Sequence, residues 1–204
     1  MDFHRSGEPG DRAIIGNSTP RMLFGLNADF DWKGFSLGVV LQGVGQRDWY
    51  PAKESGYFWG QYNRPYGYYL KHHTGNNVWT EENPNPEAYW PRYRGYLALN
   101  ANRSMTVTND RFLQNAAYIR LKNLQFGYTI NNRITSKWGV ERLRIYLSGE
   151  NIYTWSPMFK ITKNFDPEVI HAGDTDFRSS SGTDGDGYGY PMQRTFTLGV
   201  NLTF

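Results

Sequence analysis

Two carboxylates stand two residues apart in the segment NFDPE, Asp166 and Glu168. Paired acids are what general acid–base chemistry uses, one giving a proton while the other takes or steers one. The plainer reading of this pair is an anchor for a loop. Just downstream, DTDFRSSSGTDGDGYGYP (174–191) offers Asp174, Asp176, Asp184 and Asp186 as hard oxygen donors for calcium. The calcium-loop spacing D-x-D-x-D-G with a closing Glu is absent, and a solvated loop is the plainer reading. His72 and His73 are adjacent and would point apart in an extended chain, a poor pair of metal ligands. His4 and His171 stand alone in the sequence. GDGYGYP has the glycines of a phosphate loop, but no Lys-Ser/Thr pair follows. Cysteine is absent, so there is neither a thiolate ligand nor a disulfide framework. No nucleophile–base arrangement emerges. The expectation is a protein without catalytic residues or cofactor.

The stretch with the most binding chemistry is 49–96. It holds fourteen aromatic residues and half of the ten prolines. Trp59, Tyr62, Tyr66, Tyr68, Trp79 and Trp90 are candidates for contact with a cargo or a partner. Aromatic faces beside Asn, Arg and Glu suit sugars, whose C–H faces stack while their hydroxyls take the polar groups. They suit a protein surface equally well, and a loop that packs on itself no less.

Such segments need elements to hold them, and five stretches alternate with a period of two. RMLFGLNADFDW (21–32) puts Met22, Phe24, Leu26, Ala28, Phe30 and Trp32 on one face, against Leu23, Gly25, Asn27, Asp29 and Asp31. Lys33-Gly34 marks a two-residue hairpin turn before the second stretch, 35–49. In 117–130, Ile119 and Leu121 share one phase while Leu124, Phe126, Tyr128 and Ile130 take the other. The slip at Lys122-Asn123 predicts a β-bulge. The fourth stretch is 142–155. The last, RTFTLGVNLTF (194–204), sets Phe196, Leu198, Val200, Leu202 and Phe204 against Thr195, Thr197, Gly199, Asn201 and Thr203.

Connections alternate too: short at 33–34, long at 50–113, short at 131–141, long at 156–192. A structureless loop of about 20 residues counts against a compact soluble domain. Alternation of short turns with long loops is the habit of transmembrane barrels. No stretch approaches the ~18 consecutive apolar residues of a membrane helix, but strands need only ~9–11 residues with one apolar face. A mean hydropathy of −0.67 is therefore compatible with strands that meet lipid on one side. Trp32, Trp49, Trp138, Tyr153 and Trp155 near strand ends fit interfacial girdles. A charge of +3, with 22 Lys and Arg against 19 Asp and Glu, implies no nucleic-acid partner.

Four blocks together resemble the C-terminal barrel region of SusC/RagA-type TonB-dependent outer-membrane transporters: PGDRAIIGNSTPRMLFGLN (9–27), NAAYIRLKNLQFGYTI (115–130), LRIYLSGENIYTW with DPE (143–155, 166–168), and YPMQRTFTLGVNLTF (190–204). The resemblance implies an all-β antiparallel transmembrane β-barrel of about 22 strands closed around a plug, of which this chain supplies about five. Residues 1–20 would be an extracellular loop segment and 21–204 the partial barrel, with its C-terminus periplasmic, in the outer membrane of a Gram-negative bacterium. The implied activity is import of glycans, with peptides as the variant cargo. The implied partners are a SusD-like surface lipoprotein acting as lid, the TonB complex, outer-membrane lipid and the barrel-assembly machinery. Thr197, Gly199, Leu202 and Phe204 resemble the signal that this machinery reads.

The family's export signal, plug and TonB-contacting segment are not among these 204 residues. Five strands fall short of the ~8 of the smallest common barrel. The chain is accordingly expected to be a fragment that aggregates in water or requires detergent, self-assembly into a multi-chain barrel being the alternative. The rival from another class is a soluble secreted carbohydrate-binding β-sandwich with the aromatic loop as its platform.

Overall fold

The computed structural model describes residues 13–52, 55–62, 65–94, 105, 108–170 and 189–204. Its strands in chain order are β1 (Arg21–Trp32), β2 (Phe35–Gln46), β3 (Asp48–Trp49), β4 (Gln114–Asn115), β5 (Tyr118–Ile130), β6 (Arg142–Trp155) and β7 (Thr195–Thr203). The five long strands form one antiparallel sheet in the order β1-β2-β5-β6-β7, and β3 pairs with β4 in a separate two-residue ribbon. Each long strand thus lies beside the next long strand of the chain, as in a barrel wall.

Register turns the alternation of single strands into two continuous faces. Phe30 pairs with Leu37, Leu37 with Phe126, Phe126 with Leu147, and Leu147 with Leu198. One residue along each strand, Asp29 faces Gly38, then Gln125, Ser148 and Thr197. The apolar row is uncovered: Phe30 is 66%, Leu147 51% and Leu198 73% exposed. A second sheet folded over this face, as a soluble sandwich requires, is absent among the described residues. No described helix is long and apolar enough to cross a membrane.

Local sequence explains the joints. Lys33 (φ 48°) and Gly34 (φ 90°) both take positive φ, which matches the twist of a tight hairpin. A side chain at Gly34 would meet the Thr129 carbonyl oxygen at 2.8 Å. The bulge falls at Lys122, which both neighbouring registers skip. The turn from β5 to β6 holds a short helix, α1 (Asn132–Thr135), capped by the Asn131 side chain, and a 3-10 turn that ends on Gly139 at φ 70°. The described residues 13–20 approach β1 from the opposite end, where Asn17 and Asp48 exchange backbone and side-chain bonds of 2.8 and 2.9 Å.

The buried apolar core lies beyond the sheet, in its long connections. Trp49, Phe58, Trp59, Tyr62, Val78, Trp90, Met105, Phe112, Ala116, Met158, Phe165 and Ile170 form one cluster. The second sequence stretch is accordingly broken. β2 ends at Gln46, Arg47 leaves the sheet, and Trp49 turns into this core.

Candidate functional site

The cap that these connections build is held by rings packed edge to face. Trp90 lies 6.0 Å from Trp59 at 84°, 5.2 Å from Phe58 at 61°, and is stacked on Tyr62 at 5.3 Å. Trp49 joins from the strand side, 5.0 Å from Phe165 and 6.1 Å from Phe58. Offset and edge contacts of this kind add to the burial of large apolar area. Two polar ring atoms are served locally: Trp59 Nε1 donates to Ala52 O at 2.8 Å, and the Tyr62 hydroxyl donates to Pro91 O. Arg111 ties the far side, its guanidinium donating to Ala88 O at 2.6 Å and to Tyr89 O at 3.0 Å.

This packing separates the aromatic candidates. Trp59, Tyr62 and Trp90, expected as contact residues, are 0%, 0% and 1% exposed and serve as core. Their rings fill the cap because an irregular connection builds its interior from its own largest apolar side chains. Trp49, expected in an interfacial girdle, is 2% exposed and belongs to the same core. Tyr66 and Tyr68 stay on the surface, at 74% and 54%, and Trp79 is half-buried. Tyr68 stacks on Tyr57 with centroids 5.0 Å apart and planes at 16°.

His72 and His73 sit in a 3-10 turn (Lys71–His73), so the adjacent rings do not point apart as in an extended chain. Their centroids are 4.4 Å from each other. His73 is 2% exposed, 4.2 Å from Trp90 and 5.2 Å from Tyr62. Burial, with His72 beside it, pushes the His73 imidazole down to about 3; burial also lowers His72, whose Nε2 faces Phe58 O at 3.2 Å. Burial pushes the phenols of Tyr89 and Tyr93 up to about 12, and those of Tyr50 and Tyr62 up as well. These histidines and tyrosines are thus uncharged at neutral pH. Among the described residues, no group of three His, Cys, Asp or Glu comes together to hold a metal.

A charged clasp joins cap to sheet. Asp166 meets the Arg120 guanidinium, accepts the Glu168 N–H at 3.0 Å, and accepts the Met192 N–H at 2.9 Å. Glu168 lies 2.8 Å from Arg120 and 2.6 Å from Lys122 Nζ. The 2.8 Å contact is an ion pair without hydrogen-bond alignment. Arg120 is 2% exposed. Beside it, buried Arg47 donates to Pro167 O at 3.1 Å and to Ile170 O, and desolvation lowers its pKa. The two carboxylates of DPE are therefore spoken for by cations and backbone. They anchor the 156–170 connection on β5 and tie it to the approach of β7. Sequence reasoning reached the anchor role but missed its cations. Their signal was present: Arg120 and Lys122 stand two residues apart on one strand, the spacing that puts two side chains on one face.

Of the girdle residues, Trp32 (58%) and Trp138 (65%) are exposed at the short-turn end, and Tyr153 (63%) and Trp155 (51%) at the cap end of β6. Thr197, Gly199 and Leu202 lie on β7, with Leu202 opposite Leu143; Phe204 follows at 85% exposure. β7 ends at the short-turn end, where Thr203 O accepts the Glu141 N–H at 2.8 Å. The aspartates offered for calcium, Asp174, Asp176, Asp184 and Asp186, lie outside the described residues.

A meander of strands with one apolar uncovered face, one polar face, and a packed cap on its long connections is a segment of a transmembrane β-barrel wall. No protein-family model matches the chain. Curated relatives do. TonB-dependent receptor P3 of Formosa agariphila is 30% identical over 207 residues, covering 100% of this chain and 18% of the relative. TonB-dependent receptor P26 of the same organism is 28% identical over 95% of the chain and 18% of its own length. Over its whole length the chain is thus similar to one stretch of the TonB-dependent receptors, which are outer-membrane proteins. The fold is shared with solved structures of the RagAB peptide transporter (TM-score 0.63, 23% identity, 94% of this chain and 18% of that one) and of the RagAB peptide importer in the 'open-open' state (TM-score 0.54, 21% identity). The chain spans about a fifth of the length of the relatives it matches, 18% in each of these four comparisons.

Proposed function

We propose that this segment forms part of the wall and outer rim of a plugged, TonB-driven importer for oligomeric nutrients, with a SusD-like lipoprotein as lid. The observation that carries this reading is the unbroken apolar row across five strands, backed by a polar row that suits a wet lumen. Glycans are the cargo that the exposed Tyr66 and Tyr68 and the half-buried Trp79 suit best, since stacking faces with hydroxyls serve sugar rings. Peptides are the second reading, favoured by the fold shared with a peptide importer. In this account the long connections face outward and the tail faces the periplasm. Trp32 and Trp138 mark one interface, Tyr153 and Trp155 the other. Thr197, Gly199, Leu202 and Phe204 address the barrel-assembly machinery.

The test uses cells with and without the full-length gene, and with TonB inactivated, fed fluorescent oligosaccharides and oligopeptides. The expected result is loss of uptake of one oligomer class in both deficient strains. Unchanged uptake of both classes in the gene deletion would remove the importer reading. Copurification of a surface lipoprotein with the detergent-solubilised full-length protein tests the lid.

A further inference from the structure

Strand β2 is tied to β1 by a two-residue turn, and that turn fixes their register. β7 has no such tie to β6: the connection between them runs from 156 to 194. A slip of one residue would turn every apolar side chain of β7 to the wrong face, so the alternation itself forbids it. A slip of two residues keeps all the faces correct. Alternation alone therefore leaves the register of β7 open, and something else has to mark it.

Two glycines stand where such a mark is needed, one on each face of the pair. Gly199 lies opposite Tyr146. A Cβ on Gly199 would fall 2.5 Å from Tyr146 Cε1 and nearer still to Cζ and the hydroxyl, so the phenol end of the ring occupies the space over the bare backbone. On the other face Gly149 lies opposite Phe196. A Cβ there would meet Phe196 Cε1 at 3.1 Å and Ile152 Cδ1 at 2.7 Å. The two keys are reciprocal, an aromatic of β6 over a glycine of β7 and an aromatic of β7 over a glycine of β6. A two-residue slip would bring Thr197 or Asn201 under Tyr146, and Arg194 or Leu198 against Gly149. Under Tyr146 either residue sets a Cβ where the seat has none, and at Gly149 either one takes away the ring that fills the seat.

We propose that Gly199 and Gly149 are register seats, and that Tyr146 and Phe196 are the positioning residues that lock β7 onto β6 in its single correct alignment. The neighbouring lumenal side chain supports the Tyr146 ring: the Arg144 guanidinium carbon is 5.8 Å from its centroid, and Arg144 is held in turn by a 2.9 Å bond to Ser36 Oγ. Gly199 thus has a task inside the folded sheet that is separate from anything read by an assembly machinery. The inference stands on strand pairing and is independent of what the transporter carries.

The experiment uses the full-length protein in outer membranes, with cysteine pairs that report register. This segment has no cysteine of its own. Ser148→Cys with Thr197→Cys reports the correct alignment, and Ser148→Cys with Thr195→Cys reports a two-residue slip. Crosslinking is expected only for the first pair in the parent protein. Gly199→Ala is expected to lower that crosslink about fivefold, the scale of a cross-strand pair. Adding Tyr146→Ala to Gly199→Ala, which removes the ring that the methyl displaces, is expected to restore most of it. If Gly199→Ala prevents assembly altogether, the double variant is the deciding measurement, and its recovery supports the seat. Crosslinking unchanged by Gly199→Ala, or a double variant no better than the single one, would overturn the proposal.

Discussion

The cap and the sheet are made from similar side chains and use them in opposite ways. In the cap, Trp59, Trp90 and Phe58 are buried in one another, and tyrosines and polar loops face outward. In the sheet, Phe30, Leu147 and Leu198 face outward, and the polar side chains look to the other side. A soluble domain buries apolar surface at roughly 25 cal/mol per Å², and contiguous exposed patches beyond a few hundred Å² mark a contact with something else. The contrast within one chain teaches that the solvent changes along it, water around the cap and lipid around the wall. The Arg120–Asp166–Glu168–Lys122 clasp sits where the two regimes join.

The comparison breaks first at its deepest contacts. Trp90→Ala is expected to cost the cap about 3–5 kcal/mol, the loss for a large buried aromatic. Protease digestion of whole cells should then cut within 50–113, while the heat-modifiable migration of the full-length barrel on gels stays as in the parent. Loss of both together would mean that cap and wall are one cooperative unit. Asp166→Ala leaves Arg120 buried beside a missing partner, a change of about 3–5 kcal/mol. It should free the 156–170 connection and raise proteolysis there. Smaller is the wall itself: Leu147→Arg on the apolar row should cost about 2–4 kcal/mol in a bilayer, measured by urea titration of the full-length protein in vesicles. Ser148→Arg, one residue along on the polar row, should cost far less.

The smallest effect is pH-dependent. His73 is neutral in the folded cap, with its imidazole pushed down to about 3, and ionises near 6.5 once exposed. The unfolded cap therefore binds more protons between these values. Stability is full above about pH 6.5 and falls as pH drops toward 3, by about 2 kcal/mol at pH 5. Protease sensitivity of the cap should rise across this window, and His73→Phe should flatten the profile.

Much of the wall was legible in the sequence because one physical rule, alternation, acts on every residue of a strand. The bulge at Lys122 showed as a phase slip, and the hairpin at 33–34 as a residue pair suited to positive φ. The cap was legible only as composition. Nothing in the spacing of Trp59, Tyr62 and Trp90 tells a ring that packs inward from one that faces a ligand, because an irregular connection has no period. Trp49 illustrates the failure: its place at a strand end suggested an interface, but Arg47 and β3 had already left the sheet. The DPE anchor was readable as an anchor, whereas Arg120 and Lys122 are 46 residues away in sequence and meet it only through the fold.

The central claim is that lipid wets the apolar row. Spin labels placed singly at Leu143, Arg144, Ile145, Leu147 and Ser148 of the full-length protein in vesicles measure it directly, through collision with oxygen dissolved in the bilayer and with a water-soluble nickel chelate. The account predicts oxygen contact at 143, 145 and 147, alternating with nickel contact or shielding at 144 and 148. Equal access of the nickel reagent to both sets, or burial of the odd-numbered set from both reagents, would contradict it.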